Sequence, residues 1–415
     1  MDQAPLIQPF CGLRPLPQLV EKVAAPPYDV LNREEARKMA EGNPHSFLRV
    51  SKADIELSPD ISPYDPLVYE TAKANLEKMR QNGWLQKDDQ ACFYLYRLRQ
   101  GPREQTGIVV AASVDALVSG RIKKHEFTRP DKEKDRTDHA ATVQAHSGPV
   151  FLTFRHTEAI HQLFKTGTAG TPVYDFTASD SVHHTLWVIQ DSTLIEELSA
   201  AFNTLPCVYI ADGHHRSAAS VRVRDRYAES RGGLQADDPA NRFLCVLFPD
   251  DQVDILDYNR VVRDLNGLSV EAFLKRVGDR FTVTESQEPV RPGKPHEFGM
   301  FVAGQWFKLV LDGALIDEND PVARLDVGLL NVHLLDPILG IHDPRRDSRI
   351  DFVGGSRGLE NLMERVGSGE MAVAFSMYPT DLQDVMAVAD ANQVMPPKST
   401  WFEPKLRDGM VIQEL

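Results

Sequence analysis

The sequence predicts a mixed α/β (α+β) fold. From about residue 150 onward, short apolar segments of strand length alternate with longer segments of helix length, a pattern typical of α/β layers with some parallel strand pairing. The first 115 residues instead predict two helices followed by a hairpin. The composition, with 42% apolar and 26% charged residues over 415 positions, is that of a globular protein of two or three domains.

Two helices are predicted in the N-terminal region. Asn32 followed by Glu35 matches a capping box, which predicts a helix that continues to about Met39. Apolar residues at helical spacing predict a second helix over Asp65–Asn82, and Gly83 lies just beyond its end.

A β-hairpin is predicted next, because two segments rich in β-branched and aromatic residues, Ala91–Leu98 and Thr106–Val114, flank a Gly-Pro loop. Further strands are predicted at 150–154, His184–Ile189, Cys207–Ala211, Phe243–Phe248, Phe281–Glu285, Trp306–Leu311 and Met371–Tyr378. Further helices are predicted at Ser192–Phe202 and His215–Arg231, and near Val270, Gly328 and Leu382.

The elements predict three regions along the chain. They are an N-terminal α+β region at residues 1–115, a core region at 116–286 that carries the main motifs, and a C-terminal α+β region at 297–415 that completes the site. Gln287–His296 is predicted to be a linker, because it contains three prolines and a glycine.

The charge balance narrows the classes of partner. The chain has 46 Lys and Arg residues against 60 Asp and Glu residues, a net charge of −14. Proteins that bind nucleic acids or anionic membranes generally need a basic surface. No apolar run reaches the roughly 18 residues of a membrane span, and the N-terminus lacks the pattern of a signal peptide. We therefore expect a cytoplasmic protein whose partners are small molecules. The oligomeric state stays open, with a homodimer as one option.

The most informative motif lies where a predicted strand meets a predicted helix. Asp212 and Gly213 end the strand, and His214, His215 and Arg216 begin the helix. The N-terminus of a helix presents unpaired N–H groups to anions, a glycine lets phosphate approach the backbone, and an arginine grips phosphate with two N–H groups. The alternative is that Asp212 only caps the helix.

The motif, followed by the small residue Ser217, resembles the nucleotide-phosphate motif of the ParB/sulfiredoxin-like superfamily and is most similar to that of the free-serine kinases. The resemblance implies a ParB/sulfiredoxin-like nucleotide-binding core with large additional α/β elements. It also implies that residues 212–217 hold phosphates and that Glu126, in the upstream pair His125-Glu126, acts as a base. Glu126 and Asp212 are 86 positions apart, which an insertion such as Thr157–Leu186 would explain.

Other stretches offer candidate pocket residues. Arg129 and Arg136 follow Glu126 and would line the same pocket, although a charge run is more often a solvated helix face. Polar loops between apolar strands often build sites, and such loops contribute a further set of candidates, each with a purely structural role as its alternative: Asn259, Arg260, Lys398 and Ser399. Pro26-Pro27-Tyr28-Asp29 is either a pocket wall or a structural turn.

The whole chain resembles the uncharacterised bacterial and archaeal family known as domain of unknown function 1015. The segments that carry the resemblance run from residue 24 to residue 406 and are AAPPYDV, HEFTRPDKEKDR, ADGHHR, DYNRVVRDL and MPPKSTWFEPKL. The resemblance implies a weak association with serine biosynthesis and assigns no reaction to the family.

These observations predict an enzyme, a phosphotransferase with an alcohol-group acceptor. The expected reaction is phosphorylation of a small hydroxylated metabolite, with free L-serine giving O-phosphoserine as the first choice. The expected donor is ATP, ADP or another phosphoryl compound, and Mg²⁺ is expected with Asp212 as a ligand. His125, His214, Asp212 and Glu126 form the expected catalytic group. The alternatives are a nucleotide-binding regulator without phosphoryl transfer and a metal-dependent phosphoester hydrolase. The sequence contains no P-loop, GxGxxG or HExxH motif.

Overall fold

The computed structural model describes residues 5–415, and within them it has the mixed α/β architecture predicted from the sequence. The chain forms two compact units. Unit 1 contains the described residues up to Val253 together with Pro404–Leu415, and unit 2 is the continuous segment Asp254–Glu403. In the part of the chain that the structure describes, every helix is too short or too polar to cross a bilayer.

The strands in chain order are β1 (Ile7–Gln8), β2 (Leu13–Pro15), β3 (Leu85–Lys87), β4 (Phe93–Gln100), β5 (Arg103–Ser113), β6 (Ile122–Lys123), β7 (Ala145–His146), β8 (Val150–Phe154), β9 (Tyr174–Thr177), β10 (His183–Ile189), β11 (Val208–Asp212), β12 (Arg242–Pro249), β13 (Ile255–Leu256), β14 (Tyr258–Val262), β15 (Phe281–Ser286), β16 (Glu297–Val302), β17 (Gln305–Leu311), β18 (Ile350–Gly354), β19 (Val373–Met377), β20 (Trp401–Phe402) and β21 (Gln413–Glu414). The α-helices are α1 (Val20–Val23), α2 (Arg33–Ala40), α3 (Leu48–Ser51), α4 (Pro66–Gln81), α5 (Val114–Val118), α6 (Pro130–Val143), α7 (Glu158–Gly167), α8 (Ser192–Asn203), α9 (His214–Arg231), α10 (Val270–Val277), α11 (Asp326–Leu330), α12 (Gly358–Gly367) and α13 (Leu382–Asp390).

Unit 1 is built on a mixed sheet. The strand order is β6-β11-β8-β12-β5-β4-β10-β9, and β1 pairs with β5. The pairs β6–β11 and β8–β12 are parallel and the others are antiparallel, which confirms the predicted hairpin and the predicted presence of parallel pairing. Apolar side chains of α7 and α8, among them Phe164, Leu198 and Phe202, are buried against this sheet.

Local signals explain the N-terminal helices. The Asn32 side chain accepts a hydrogen bond from the Glu35 N–H and the Glu35 carboxylate accepts one from the Asn32 N–H, so α2 begins with the predicted capping box. The Asp65 side chain caps α4. Apolar residues of both helices share a core cluster with Ile412 from the C-terminal segment, which binds that segment into unit 1.

Unit 2 is an antiparallel sheet with helices on both faces. Its strand order is β15-β17-β16-β19-β14-β18. Val262 packs in a cluster with Phe273 of α10 and Leu330 of α11, whereas its neighbour Val261 packs in a second cluster with Leu362 of α12. Consecutive residues of one strand therefore face opposite helical layers, as the alternation of side chains in a strand requires.

The compact units do not follow the three regions predicted at 1–115, 116–286 and 297–415. Strand pairing explains the difference, because β5 before residue 115 pairs with β12 after it, and β14 pairs with β18 and β19. The predicted linker Gln287–His296 lies inside unit 2, where Val290 is buried in an apolar cluster.

Gly107, in the middle of β5, tests how tightly the sheet of unit 1 is packed. A Cβ atom there would lie 2.7 Å from the Leu247 carbonyl oxygen and 2.8 Å from the Phe248 ring. We expect Gly107→Ala to lower the free energy of unfolding by about 1–3 kcal/mol, the usual cost of overpacking. Urea denaturation measures this change, and hydrogen exchange of unit 1 peptides localises it.

The matched control is Gly170→Ala, because a Cβ atom at Gly170 has no neighbour within 4 Å. We expect this control to stay within about 0.5 kcal/mol of the wild type. Equal unfolding midpoints for the two variants would contradict the packing described for β5.

Candidate active site

The strand-to-helix junction of β11 and α9 forms the floor of the candidate site. Gly213 has φ +96°, a conformation that favours glycine, and α9 begins at the next residue, His214. The Ser217 N–H donates to the Gly213 carbonyl oxygen at 3.0 Å, so the first helical turn closes directly on the glycine. Helix geometry leaves the preceding N–H groups without intrahelical acceptors at the positive end of the helix dipole. The junction therefore has the geometry of an anion site.

The parallel pairing of β6 with β11 brings the second motif to this junction. Ile122 pairs with Val208 and Lys123 pairs with Tyr209, so both strands run to the same edge of the sheet. His125 and Glu126 come shortly after the end of β6, and Asp212 ends β11 with Gly213 directly after it.

Side chains of the two motifs are in contact. His214 Nδ1 lies 3.7 Å from Glu126 Oε2, and the His125 and His214 rings meet edge to face with their centroids 4.5 Å apart. The structure thus brings together residues that are 86 or more positions apart in sequence. Within the intervening Thr157–Leu186, α7 and the edge strand β9 form.

Asp212 is held ionised by cations. Its Oδ2 lies 2.9 Å from Lys405 Nζ, and its side chain is about a third exposed (32%). Desolvation opposes ionisation, but the charges of Lys405 and Arg216 outweigh it and hold the pKa of Asp212 well below its usual range. Asp212 does not cap α9, because the N-cap residue is Gly213. The capping role considered for Asp212 from the sequence is therefore wrong.

The histidines of the site are neutral at pH 7. Burial lowers the pKa of His125 to about 4, and burial, with His125 beside it, lowers the pKa of His214 well below 6.5. Burial also lowers the pKa of His215, whose Nε2 accepts a hydrogen bond from the Arg129 N–H at 3.1 Å. Glu126 therefore faces an uncharged His214 ring.

Arg216 and Ser217, both predicted to bind phosphate, are placed differently. An Nη atom of Arg216 donates to the Pro149 carbonyl oxygen, and its buried Nε has no hydrogen-bond partner among the described residues. The Ser217 hydroxyl is buried and donates to the His214 carbonyl oxygen at 2.9 Å. Arg216 thus keeps a free donor behind the junction, whereas the Ser217 donor is used within the helix.

The charged segment after Glu126 forms helix α6, which is not a solvated face throughout, because Asp135 and His139 are buried. Arg136 pairs with Asp135 at 2.8 Å and lies over the Tyr28 ring at 3.9 Å. Arg129 is exposed and pairs with Asp131 at 2.7 Å. Tyr28, considered from the sequence as part of a pocket wall, therefore contacts a predicted pocket residue.

The four remaining predicted residues, Asn259, Arg260, Lys398 and Ser399, lie in unit 2, where each takes part in a hydrogen bond. Arg260 donates to the Lys398 carbonyl oxygen at 2.9 Å, and the Ser399 hydroxyl donates to the Pro396 carbonyl oxygen at 2.6 Å. Buried Asn259 donates to Asp257 and accepts from the Met377 N–H. Asn259, Arg260 and Ser399 use their side chains in these contacts, whereas Lys398 contributes its backbone carbonyl oxygen.

Two residues of the C-terminal segment lie at this site but were not predicted from the sequence to belong to it. Lys405 pairs with Asp212 across 193 positions, and Asp408 is buried near Arg216, with its pKa raised to about 7 by that burial. The lysine belongs to a motif, MPPKSTWFEPKL, in which Lys398 was the preferred candidate. Asp408 carries no sequence signal, since Asp before Gly is a common turn sequence.

Asp212 is the carboxylate expected to bind Mg²⁺. Within residues 5–415, no three His, Cys, Asp or Glu side chains are grouped to hold a metal, and Lys405 already contacts one oxygen of Asp212. Mg²⁺ in nucleotide sites takes most of its ligands from phosphates and water. The residues therefore fit an ion delivered with phosphates and do not fit a metal held by the protein alone.

The buried histidines make a pH dependence testable. Unfolded histidine, with a pKa near 6.5, binds protons that folded His125, with a pKa of about 4, does not bind. The free energy of unfolding should therefore fall as the pH drops below 6.5, by about 1.4 kcal/mol per pH unit for each such histidine. Urea denaturation from pH 8 to pH 5 measures this dependence. We expect His125→Asn to lower the slope of the free energy of unfolding against pH, below pH 6.5, by about 1.4 kcal/mol per pH unit, which corresponds to one proton. His161→Asn, at an exposed position, is the control, and an unchanged slope in His125→Asn would contradict the neutral buried ring.

Comparison with solved structures gives distant matches. A variant of a free serine kinase in complex with AMP is 14% identical, with a TM-score of 0.36, over 73% of this chain and 91% of that chain. SbnI with a C-terminal truncation, from Staphylococcus aureus, is 11% identical, with a TM-score of 0.38, over 72% and 85%. A conserved hypothetical protein from Pyrococcus furiosus is 14% identical, with a TM-score of 0.34, over 74% and 95%.

Among curated protein sequences, none matches this chain. A family model does. The model described as "Protein of unknown function (DUF1015)" matches residues 7–328, a range that includes His125-Glu126 and the whole junction at Asp212–Ser217. The chain belongs to the DUF1015 family.

Proposed function

We propose that this protein is a nucleotide-dependent kinase that phosphorylates the hydroxyl group of a small metabolite, with free L-serine as the first candidate and O-phosphoserine as its product. One observation carries the proposal. The Glu126 carboxylate lies 3.7 Å from His214, the first residue of α9. A general base beside an anion-binding helix N-terminus is the arrangement that phosphoryl transfer to an alcohol requires.

The phosphates of the nucleotide would lie on the N-terminus of α9. Gly213 has no Cβ atom to keep them from the backbone, and the first-turn N–H groups would donate to phosphate oxygens. Lys405 and Arg216 supply positive charge close to Asp212. Phosphoryl transfer depends mostly on positioning and charge neutralisation, and this group of residues provides both.

Glu126 would accept the proton of the acceptor hydroxyl. The acceptor oxygen forms a bond to the terminal phosphorus while the bond from that phosphorus to the bridging oxygen of the nucleotide breaks. The products are the phosphorylated acceptor and a nucleotide shorter by one phosphate. The proton passes from the hydroxyl to Glu126 and then to solvent. Because His125 and His214 are neutral, the ring beside Glu126 adds no charge to the site.

The donor is proposed to be ATP, ADP or another phosphoryl compound, and Mg²⁺ would enter with its phosphates. A bound Mg²⁺ supplies neutralisation of phosphate charge, and Asp212 is the carboxylate of the junction that could contact it. The protein itself would supply the base, Glu126, the phosphate-binding N–H groups of α9, and the positive charges of Arg216 and Lys405.

The test measures nucleotide consumption by the purified protein with Mg²⁺, using ATP, ADP and pyrophosphate in turn. Each donor is tried without an acceptor and with serine, threonine, homoserine, glycerate or inositol. Acceptor-dependent turnover with a phosphorylated product supports the kinase. Phosphate release without an acceptor would establish a phosphoester hydrolase instead, and nucleotide binding without turnover would establish a regulator.

Replacing Glu126 tests its role as the base. Glu126→Gln keeps the size of the side chain and removes its basicity, so we expect kcat to fall by about 10²–10⁴-fold, the usual contribution of a general base. Nucleotide affinity, measured by calorimetry, should change less than about threefold, because the phosphates are proposed to contact α9 and its cations.

The matched control is Glu197→Gln, the same change at an exposed position on α8, which should keep wild-type kcat. A Glu126→Gln protein with wild-type turnover would remove Glu126 from the mechanism.

A further inference from the structure

A small polar cavity of about 40 Å³ lies behind the junction, inside unit 1. Its lining includes Tyr28, Arg136, Ser147, Gly148, Arg216 and Asp408. A volume of this size holds a few water molecules or one small charged group, since one water needs roughly 10–15 Å³ by the same measure. It is too small for a whole metabolite and large enough for one end of a metabolite.

The cavity adjoins the proposed phosphate site. A Cβ atom on Gly213 would lie 3.3 Å from Arg216 Nε and 3.3 Å from Val150 Cα, and Arg216 and Val150 both line the cavity. The cavity therefore lies next to the turn where the phosphates are proposed to bind.

Asp408 is the unusual member of the lining. Its residue is 2% exposed, and its Oδ1 has no hydrogen-bond partner among residues 5–415. Backbone hydrogen bonds to Ala25 hold it on both sides, and its carboxylate packs against Gly148, where a Cβ atom would lie 2.6 Å from Oδ1. A buried carboxylate without a partner is costly, so this oxygen is suited to a donor that is not part of the chain.

The arginines nearby do not supply that donor. Arg216 donates to the Pro149 carbonyl oxygen, and Arg136 donates to Asp135. A third arginine, Arg407, pairs with Asp180. They act on Asp408 through their charge while their hydrogen bonds go elsewhere.

The electrostatics around Asp408 indicate the sign of the missing group. Burial, with Asp29 nearby, raises the pKa of the Asp408 carboxyl to about 7, although Arg216, Arg136 and Arg407 favour its charged form. A cationic donor beside the carboxylate would favour the ionised form.

We infer that Asp408 binds the ammonium group of the acceptor, so that the substrates of this enzyme are hydroxylated amines of the amino-acid type and not polyols or plain hydroxy acids. The inference rests on the proposed function, because it names the chemical class of the acceptor. The spare Nε–H of Arg216, on the side of the cavity nearest Gly213, is placed to bind a carboxylate of the same molecule. Asp408 and Arg216 together then select a zwitterion.

Binding of three small molecules to the full chain tests the inference by calorimetry. L-serine has an ammonium and a carboxylate, 3-hydroxypropionate lacks the ammonium, and ethanolamine lacks the carboxylate. We expect L-serine to bind about 10- to 100-fold more tightly than 3-hydroxypropionate, the range for a hydrogen bond to a charged group. Asp408→Asn should remove that preference and leave the affinity for 3-hydroxypropionate unchanged.

Gly148→Ala provides a second variant that changes no charge. Its methyl group would lie 2.6 Å from Asp408 Oδ1, too close for the carboxylate to keep its position, and should weaken L-serine binding by a similar factor. Asp89→Asn, at an exposed position, is the matched control. Circular dichroism shows which variants fold, and Gly148→Ala decides the outcome if Asp408→Asn does not.

The outcomes separate this inference from the proposed function. Tight L-serine binding that depends on Asp408, without turnover of any donor, would support the inference and refute the kinase. Phosphorylation of acceptors with and without an ammonium group at equal rates, unchanged in Asp408→Asn, would support the kinase and overturn the inference. Equal binding of L-serine and 3-hydroxypropionate would also overturn it and would assign the cavity to structural water.

Discussion

The candidate site depends on one short strand pairing. β6 contributes only Ile122 and Lys123, which pair in parallel with Val208 and Tyr209 of β11. Because the two strands run in the same direction, the chain leaves both at the same edge of the sheet. That single constraint carries Glu126 to the start of α9. An antiparallel arrangement would have placed the two motifs at opposite edges, and neither would have formed a site.

The surroundings of the junction combine strong charges with strong burial. Lys405 neutralises Asp212 at 2.9 Å, and Asp135 neutralises Arg136 at 2.8 Å. The buried histidines avoid the cost of charge by staying neutral. Burying a charge without a partner costs desolvation free energy. Each ion pair offsets part of that cost, and a buried group without a partner does not. Local pairing also reconciles an acidic chain, with a net charge of −14, with a locally cationic site for phosphate.

The sequence predicted those features that local signals determine. The capping box at Asn32 placed α2, and an apolar strand ending in Asp-Gly placed the junction of β11 and α9. The contact between Glu126 and His214 was expected only from a resemblance, because a two-residue strand such as β6 leaves no periodic pattern. Lys405 and Asp408 are distant in sequence from the residues that they contact. No local sequence pattern indicates where the C-terminal segment Pro404–Leu415 packs in unit 1. The compact units differ from the three predicted regions for the same reason, since β14 pairs with strands about 90 and 110 residues further on.

The interruption of unit 1 by unit 2 has a consequence for how the molecule is made. The ribosome synthesises all of Asp254–Glu403 before Lys405 and Asp408. The site of unit 1 therefore cannot be completed until the 150 residues of unit 2 have been made. Closing a flexible loop of that length costs about 4 kcal/mol in chain entropy. The antiparallel pair of β13 with β20, at Ile255–Leu256 and Trp401–Phe402, joins the two ends of unit 2 and removes most of that loop once unit 2 has folded. Translational order and chain connectivity thus make a folded unit 2 the precursor of a finished site.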